Sequence, residues 1–276
     1  MDILPVSVII PTKNVEKTIS ACLDSIKKNN PAEIIVIDGN SADQTLEIAR
    51  NYTTQIYSDE GKGTACAHQL GAEYATQEYI VYIDGDIIVP EGTLAALLAE
   101  LRSSDSVCVS ATMAGAHLTT YWERATDWNN RLHQKRMGGG LFAAVLRKDT
   151  VLKIKFDTGI KLAGDDVTFL MRLKKAGYKY TNSPVIVYHQ HRADLKSLAG
   201  QWRHYGRSSA YLIKSYGPLH PGIWPPLLVL YWIGICVIKG KPQYIPYFFI
   251  DGYSQTTGMI KGFLEISAAA FHKTKH

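Results

Sequence analysis

Asp84 and Asp86 stand two residues apart around Gly85, directly after the apolar run Tyr79 to Ile83. Such a run reads as a buried strand, and a glycine-containing turn at its end lets both carboxylates reach one point. Paired oxygen ligands suit Mg2+ or Mn2+, ions that commonly complete their shells with diphosphate oxygens and need few protein ligands. Asp and Gly are also ordinary turn formers, so Asp-Gly-Asp alone leaves a plain strand end open. Asp38 ends the apolar run Ile34 to Ile37, at the carboxyl end of a strand. Asp165 and Asp166 follow Gly164 at the head of a helical segment. Acids at such a position suit the dipole of a first helical turn. His189 and His191 lie two apart on an apolar run, so both rings face one side of a strand. As a ligand, imidazole favours Mn2+ over Mg2+; a strand-end histidine bonded to backbone is the other reading.

The elements that would hold these groups alternate. Val6 to Ile10, Ile34 to Ile37 and Tyr79 to Ile83 read as buried parallel strands, with a weaker one near Gln55 to Tyr57. Between them lie segments of helical spacing, with Asn14 and Ser41 as candidate caps and a helix over Thr64 to Thr76. The order predicts a mostly parallel, doubly wound α/β sheet, in which ligands bind beyond the carboxyl ends of the strands. Those ends carry PTKN (11–14), DGNSAD (38–43) and DGD (84–86). The first turn has no glycine, which disfavours an NAD or FAD site. Further along, a strand is expected over Asp105 to Ser110, helices over Thr119 to Arg136 and Thr168 to Ala176, and a last strand over Val185 to Tyr188. GGGLFAAVLRKD reads as a glycine-rich turn into another strand.

The 276 residues, 46% of them apolar, suffice for one large domain with an appendage. Net charge is +5 without a lysine run, so a nucleic-acid partner is not expected. The four cysteines form no CxxC pair, which suggests neither zinc nor a disulfide framework and fits a reducing compartment. The start of the chain lacks the marks of a signal peptide, so the catalytic part is expected to face the cytosol. From Ser215 to Ile238 there is no formally charged residue, but prolines at 218, 221, 225 and 226 interrupt the run. What remains falls short of the roughly 20 residues of a membrane span, and the flanking lysines and aromatics suit a segment lying in the interface. A helix buried against the domain is the alternative.

The motifs in this order resemble glycosyltransferase family 2, which has the GT-A fold. The likeness runs from Val6 to about Tyr211 through VSVIIPTKN, EIIVIDGNSAD, GKGTACAHQLGAEYA, IDGD, GDDVTFLMRL and the HQH strand. The resemblance implies an inverting, metal-dependent transfer from a UDP-sugar, in preference to a GDP-sugar, to a glycan or polyprenyl-linked acceptor. By position it implies Pro11, Thr12, Asn14 and Asp38 at the nucleoside and Lys62 near the diphosphate. It sets Asp84 and Gly85 at ribose and metal, and Asp86 and His189, ahead of His191, on Mn2+ or Mg2+. Asp166 is implied as catalytic base. The usual second acid of the Asp38 motif is absent, the sequence reading Asp38-Gly39-Asn40-Ser41. Arg203, His204 and Arg207 are secondary candidates for phosphate, and Gly138 to Gly140 with Trp122 and Trp128 for the acceptor. The expected organisation is a transferase domain over 1–212 and an apolar, aromatic segment over 213–276. That segment sits at the cytoplasmic face of a membrane, the part around 222–238 serving as its contact. A nucleotidyltransferase would need a glycine-rich basic loop where PTKNVEK stands, and a non-catalytic sugar-binding or membrane scaffold would be expected to lack the acids.

Overall fold

Val6, Val8, Ile9 and Ile10 are wholly withdrawn from solvent because β1 (Leu4–Thr12) runs between two parallel partners. These are β2 (Pro31–Asp38) and β4 (Tyr79–Ile83), and β3 (Ile56–Ser58) adds to β2 in the same direction. A strand covered on both faces is mostly apolar, a buried polar group such as Ser7 needing a partner, here Glu33, and that is what makes these runs legible. The computed structural model describes residues 2–137, 140–220 and 228–273 and contains two compact units. The first comprises Met1–Leu118, Thr126–Lys161 and Asp165–His191; the second comprises Thr119–Ala125, Leu162–Gly164 and Arg192–His276.

The first unit holds a single eight-stranded sheet in the order β3-β2-β1-β4-β7-β6-β8-β5. Its remaining strands are β5 (Ile87–Ile88), β6 (Cys108–Gly115), β7 (Ala143–Arg147) and β8 (Tyr180–His189). The sheet is mostly parallel but mixed: β7 is antiparallel to both β4 and β6, and β5 is antiparallel to β8. An apolar run reports burial but not direction, so AAVLR reads the same either way. Helices α1 (Ile19–Lys27), α2 (Thr45–Ala49), α3 (Thr64–Tyr74) and α4 (Thr93–Ser103) connect the early strands. Helix α3 packs so closely on β1 that a Cβ at Gly71 would fall 2.2 Å from Ile9 Cγ2. Helix α5 (Tyr121–Met137) carries residues of both units, and α6 (Lys148–Ile154) and α7 (Asp165–Lys175) complete the first.

Neither expected cap serves a helix end. Helix α1 begins at Ile19 without a side-chain cap, and α2 begins at Thr45. Asn14 and Ser41 bond each other's loops instead, because both belong to strand-end turns that meet.

The second unit is helical: α8 (Leu195–Tyr216), α9 (Leu228–Ile238) and α10 (Ile245–Lys273), with a 3-10 turn at Pro242–Tyr244. Asp194 caps α8 by accepting from Ser197 N at 2.8 Å. The expected boundary at 212/213 falls inside α8, while the two units exchange at 191/192. Among the described residues, no helix is long and apolar enough to cross a membrane. Pro221, Pro225 and Pro226, with the first part of the 222–238 segment, lie outside the described residues, as do Gly138 and Gly139.

Candidate active site

Strand register brings the first loops together. Thr12 pairs with Asp38 at the ends of β1 and β2, and Gly39 N donates to Thr12 O at 2.8 Å. The loops then interlock: Asn14 N donates to Ser41 Oγ at 2.9 Å, and Ala42 N donates to Asn14 Oδ1 at 2.8 Å. Asn14 can do this because it adopts a left-handed φ of 53°, which asparagine tolerates better than most residues. Asp43 ties in the same loops, accepting from Glu16 N at 3.1 Å and Thr45 N at 3.1 Å. Asp38 is 4% exposed; its Oδ2 accepts from Ser41 N at 3.0 Å, while Oδ1 is buried and bonded to none of the described residues. A buried carboxylate oxygen without a donor is costly, so this atom is set for a donor that the described chain does not supply. Pro11 precedes Thr12 on β1, opposite Ile37.

The Asp-Gly-Asp turn leaves β4 beside this cradle. Ile87 N closes it on Asp84 O at 3.0 Å, and Asp84 N donates to Phe142 O at 3.0 Å. A Cβ on Gly85 would lie 3.2 Å from Val15 Cγ2 and 3.6 Å from Thr12 Cγ2, so glycine lets the turn nest on the first loop. Pairing of Ile87 with His189 across β5 and β8 sets Asp86 against the histidine. Asp86 Oδ2 and His189 Nε2 are 3.3 Å apart. Adjacent ligands of one octahedral cation, with bonds of about 2.1 Å, stand about 3 Å apart, so this pair fits two sites on a single Mg2+ or Mn2+. Among the described residues no group of three or more His, Cys, Asp or Glu is placed to hold a metal ion. Burial, and then the neighbouring Asp86 carboxylate, push the Asp84 carboxyl above its ordinary range. That repulsion is what a bound cation would relieve.

Behind His189 stands a relay the sequence did not reveal. His189 Nδ1 lies 2.6 Å from His191 Nδ1, and His191 Nε2, buried and hydrogen-bonded to none of the described residues, lies 3.9 Å from Asp127 Oδ1, within reach of the carboxylate's charge but too far for a hydrogen bond. Asp127 accepts from Gly115 N at 2.7 Å and pairs with Arg131 Nε at 2.9 Å. Burial lowers the His191 pKa, favouring the neutral ring. Of the two histidines, His189 faces Asp86 and His191 supports it.

Asp165 and Asp166 open α7 in different settings. Asp165 Oδ2 meets His68 Nδ1 at 2.8 Å, both side chains nearly buried. The His68 ring stacks on Phe156 at 5.0 Å, which stacks on Phe169 at 4.2 Å, and Tyr82 Oη donates to His68 O at 2.9 Å. Asp166 Oδ1 accepts from Val167 N at 2.7 Å, and a Cβ on Gly140 would lie 3.3 Å from Asp166 Oδ2. Burial first, and Asp165 second, raise the Asp166 carboxyl above its ordinary range, toward the working range of a general base. His68 was passed over because a histidine among small residues on α3 looks like core; only the fold shows that it faces Asp165.

Lys62 is apart from this group in its bonding: its Nζ pairs with Glu60 Oε2 at 2.6 Å on an exposed turn. Asp59 organises that turn, accepting from Gly61 N at 2.7 Å and Gly63 N at 3.1 Å. In the second unit, Arg207 is paired with Glu265 at 2.6 Å. Trp122 packs edge-on against Tyr121 at 4.9 Å.

Known proteins share this family's sequence pattern and this fold. The PGL/p-HBAD biosynthesis glycosyltransferase of Mycobacterium bovis is 29% identical over 143 residues, 48% of this chain and 55% of that protein. The chain thus spans about half the length of the curated relatives it matches. A mannosyltransferase from Pyrobaculum calidifontis, solved with GDP-Man and Mn2+, superposes with a TM-score of 0.64 at 19% identity, covering 96% of this chain and 90% of that one. Glucosyl-3-phosphoglycerate synthase from Mycobacterium tuberculosis, solved with Mn2+, UDP and phosphoglyceric acid, gives 0.54 at 20% identity, covering 76% and 77%. At such identities the likeness is one of fold. The family profile matches residues 7–149, more than half of the sequence and the stretch that holds Asp38, Asp84 and Asp86, and this chain belongs to glycosyl transferase family 2.

Proposed function

We propose that the chain transfers a sugar from a nucleoside-diphosphate sugar to a hydroxyl or phosphate of a glycan or polyprenyl-linked acceptor, with inversion. The observation that carries this reading is the 3.3 Å approach of Asp86 Oδ2 and His189 Nε2 at the carboxyl end of β4, in a chain of this family. Asp38 Oδ1, buried and awaiting a donor, is the acceptor for a base N–H. We take a UDP-sugar, ahead of a GDP-sugar, as the donor. Fold neighbours have been solved with UDP and Mn2+ and with GDP-Man and Mn2+.

Asp86 and His189 would hold Mn2+ or Mg2+, with Asp84 between ribose and cation. When bound, the ion supplies charge that stabilises the leaving diphosphate. Asp166 takes the acceptor proton as that oxygen attacks the anomeric carbon from the face opposite the diphosphate, which departs with the electrons of the broken bond. Asp165, held by His68, keeps the head of α7 in place. Lys62 would have to exchange Glu60 for the diphosphate. We assign the first unit to transfer and Arg192–His276 of the second to the acceptor side at the cytoplasmic face of a membrane; the four buried free cysteines suit a reducing compartment.

The test is a thermal-shift screen of UDP-sugars and GDP-sugars with and without Mn2+, followed by transfer assays and the anomeric configuration of the product. Metal-dependent transfer with inversion is expected, and Asp86→Ala should abolish it. Undiminished transfer by that variant would remove the metal assignment.

A further inference from the structure

Helix α10 has two unlike long faces. On one, glycines bring its backbone against its neighbours: a Cβ at Gly258 would lie 2.0 Å from the Arg203 carbonyl oxygen on α8, and one at Gly252 would lie 2.1 Å from Val229 Cγ2 on α9. Phe248 is buried on that side and stacks on Trp232 at 5.4 Å. On the opposite face Phe249, Tyr253, Ile260 and Leu264 are exposed by 55%, 72%, 55% and 66%. Their spacing by whole helical turns aligns them in one stripe, roughly 22 Å long at about 1.5 Å per residue.

Helix α9 continues this surface. Trp232 and Cys236 face inward, while Leu230, Val237 and Ile238 are exposed by 73%, 62% and 77%. A helix apolar on every side belongs in a core or in lipid. Its 11 residues span roughly 16 Å, too short for the ~30 Å of a bilayer core. The charge around these apolar faces is of one sign. Lys239, Lys241 and Lys261 are exposed; between 228 and 273 the carboxyl groups are Asp251, which is buried, and Glu265, which is bonded to Arg207.

We propose that α9 and the outer face of α10 form a docking surface for an anionic lipid bilayer, lying in the interface without crossing it. The positive rim selects this occupant. Anionic headgroups would neutralise the lysines, whereas a second copy of the chain would bring an equally positive rim to the same patch. The inference supplies the contact that the membrane-proximal acceptor reading calls for. Vesicle binding needs neither donor nor acceptor, so either idea can fail without the other.

The experiment is flotation of the full chain with vesicles of phosphatidylcholine, alone or mixed with phosphatidylglycerol, at low and high salt. Flotation with the mixed vesicles, weakened by salt, is expected. Ile260→Ser combined with Leu264→Ser should weaken binding at least about tenfold, and Lys239→Gln and Lys241→Gln about fivefold each. Because the double serine variant could disturb folding, Tyr253→Trp provides an independent reading: the emission of the added indole should shift to the blue and be quenched by brominated lipid. The proposal is overturned if the wild type floats with neither vesicle, if the serine variant binds as tightly, or if the emission of the Tyr253→Trp variant ignores lipid. It is equally overturned if the chain is a dimer in solution that the serine substitutions split.

Discussion

Asp251 lies on the inward face of α10, 7% exposed, and its Oδ1 accepts from Gln255 Nε2 at 2.7 Å. Burial outweighs that bond and raises the carboxyl from 3.8 to about 7. In the folded chain the group therefore keeps its proton at pH values where the unfolded chain has lost it. Its contribution to stability is fully present below about pH 4 and is lost as pH rises toward 7. Three units at about 1.4 kcal/mol each make the full loss about 4 kcal/mol, of which about 2–3 kcal/mol falls between pH 5 and pH 8. Asp251→Asn keeps an acceptor for Gln255 and has no proton to lose. The variant's advantage over wild type should widen by that 2–3 kcal/mol from pH 5 to pH 8. Urea unfolding followed by tryptophan fluorescence measures it, since Trp202 packs on Tyr247 and Trp232 on Phe248 in this unit. Taking the difference between two proteins cancels every other titrating group. A gap constant to within about 0.5 kcal/mol across that range would show that Asp251 is ionised at neutral pH and that the reasoning is wrong.

His191→Ala removes the partner of His189 Nδ1, so Mn2+ affinity in the presence of UDP should fall about 10- to 100-fold. UDP affinity without metal should hold, and calorimetry that finds Mn2+ binding unaltered would deny the relay its role. Asp38→Asn replaces a charged acceptor, and loss of about 1.5–3 kcal/mol should weaken nucleotide binding roughly 10- to 100-fold while leaving the metal requirement in place. Equal affinity for UDP in the two proteins would take Asp38 away from the base.

The parallel half of the sheet was legible because strands buried on both faces are mostly apolar, and β4 begins and ends at the residues the run predicts, Tyr79 and Ile83. The direction of β7 was not, because direction is set by which neighbours need its hydrogen bonds. The strand-end loops were legible as chemistry but misread locally. Asn14 and Ser41 look like caps, a use that needs only neighbours in sequence, yet each finds its partner about 27 residues away. Asp127 and His68 were invisible for the same reason. Their partners, His191 and Asp165, lie 64 and 97 positions off, and nothing in the helices around Asp127 or His68 marks them.

The charges of the first unit say most about what the site awaits. Asp84 and Asp86 leave one strand end, Asp165 and Asp166 open a helix, and the Asp84 and Asp166 carboxyls are both raised by burial with an acidic neighbour. The groups that oppose this are histidines, His68 and His189, each already engaged with one acid. Marginal stability does not sustain uncompensated buried acids without a return elsewhere. Asp165 is answered from within by His68, so its role is completed by folding. Asp86 meets a histidine edge at 3.3 Å, and Asp38 Oδ1 meets no donor among the described residues. A bound cation would bring positive charge to the first, and a nucleobase N–H would serve the second. Under the proposed function a cation carrying a nucleoside diphosphate would supply both at once, so the two acids would serve one binding event rather than two.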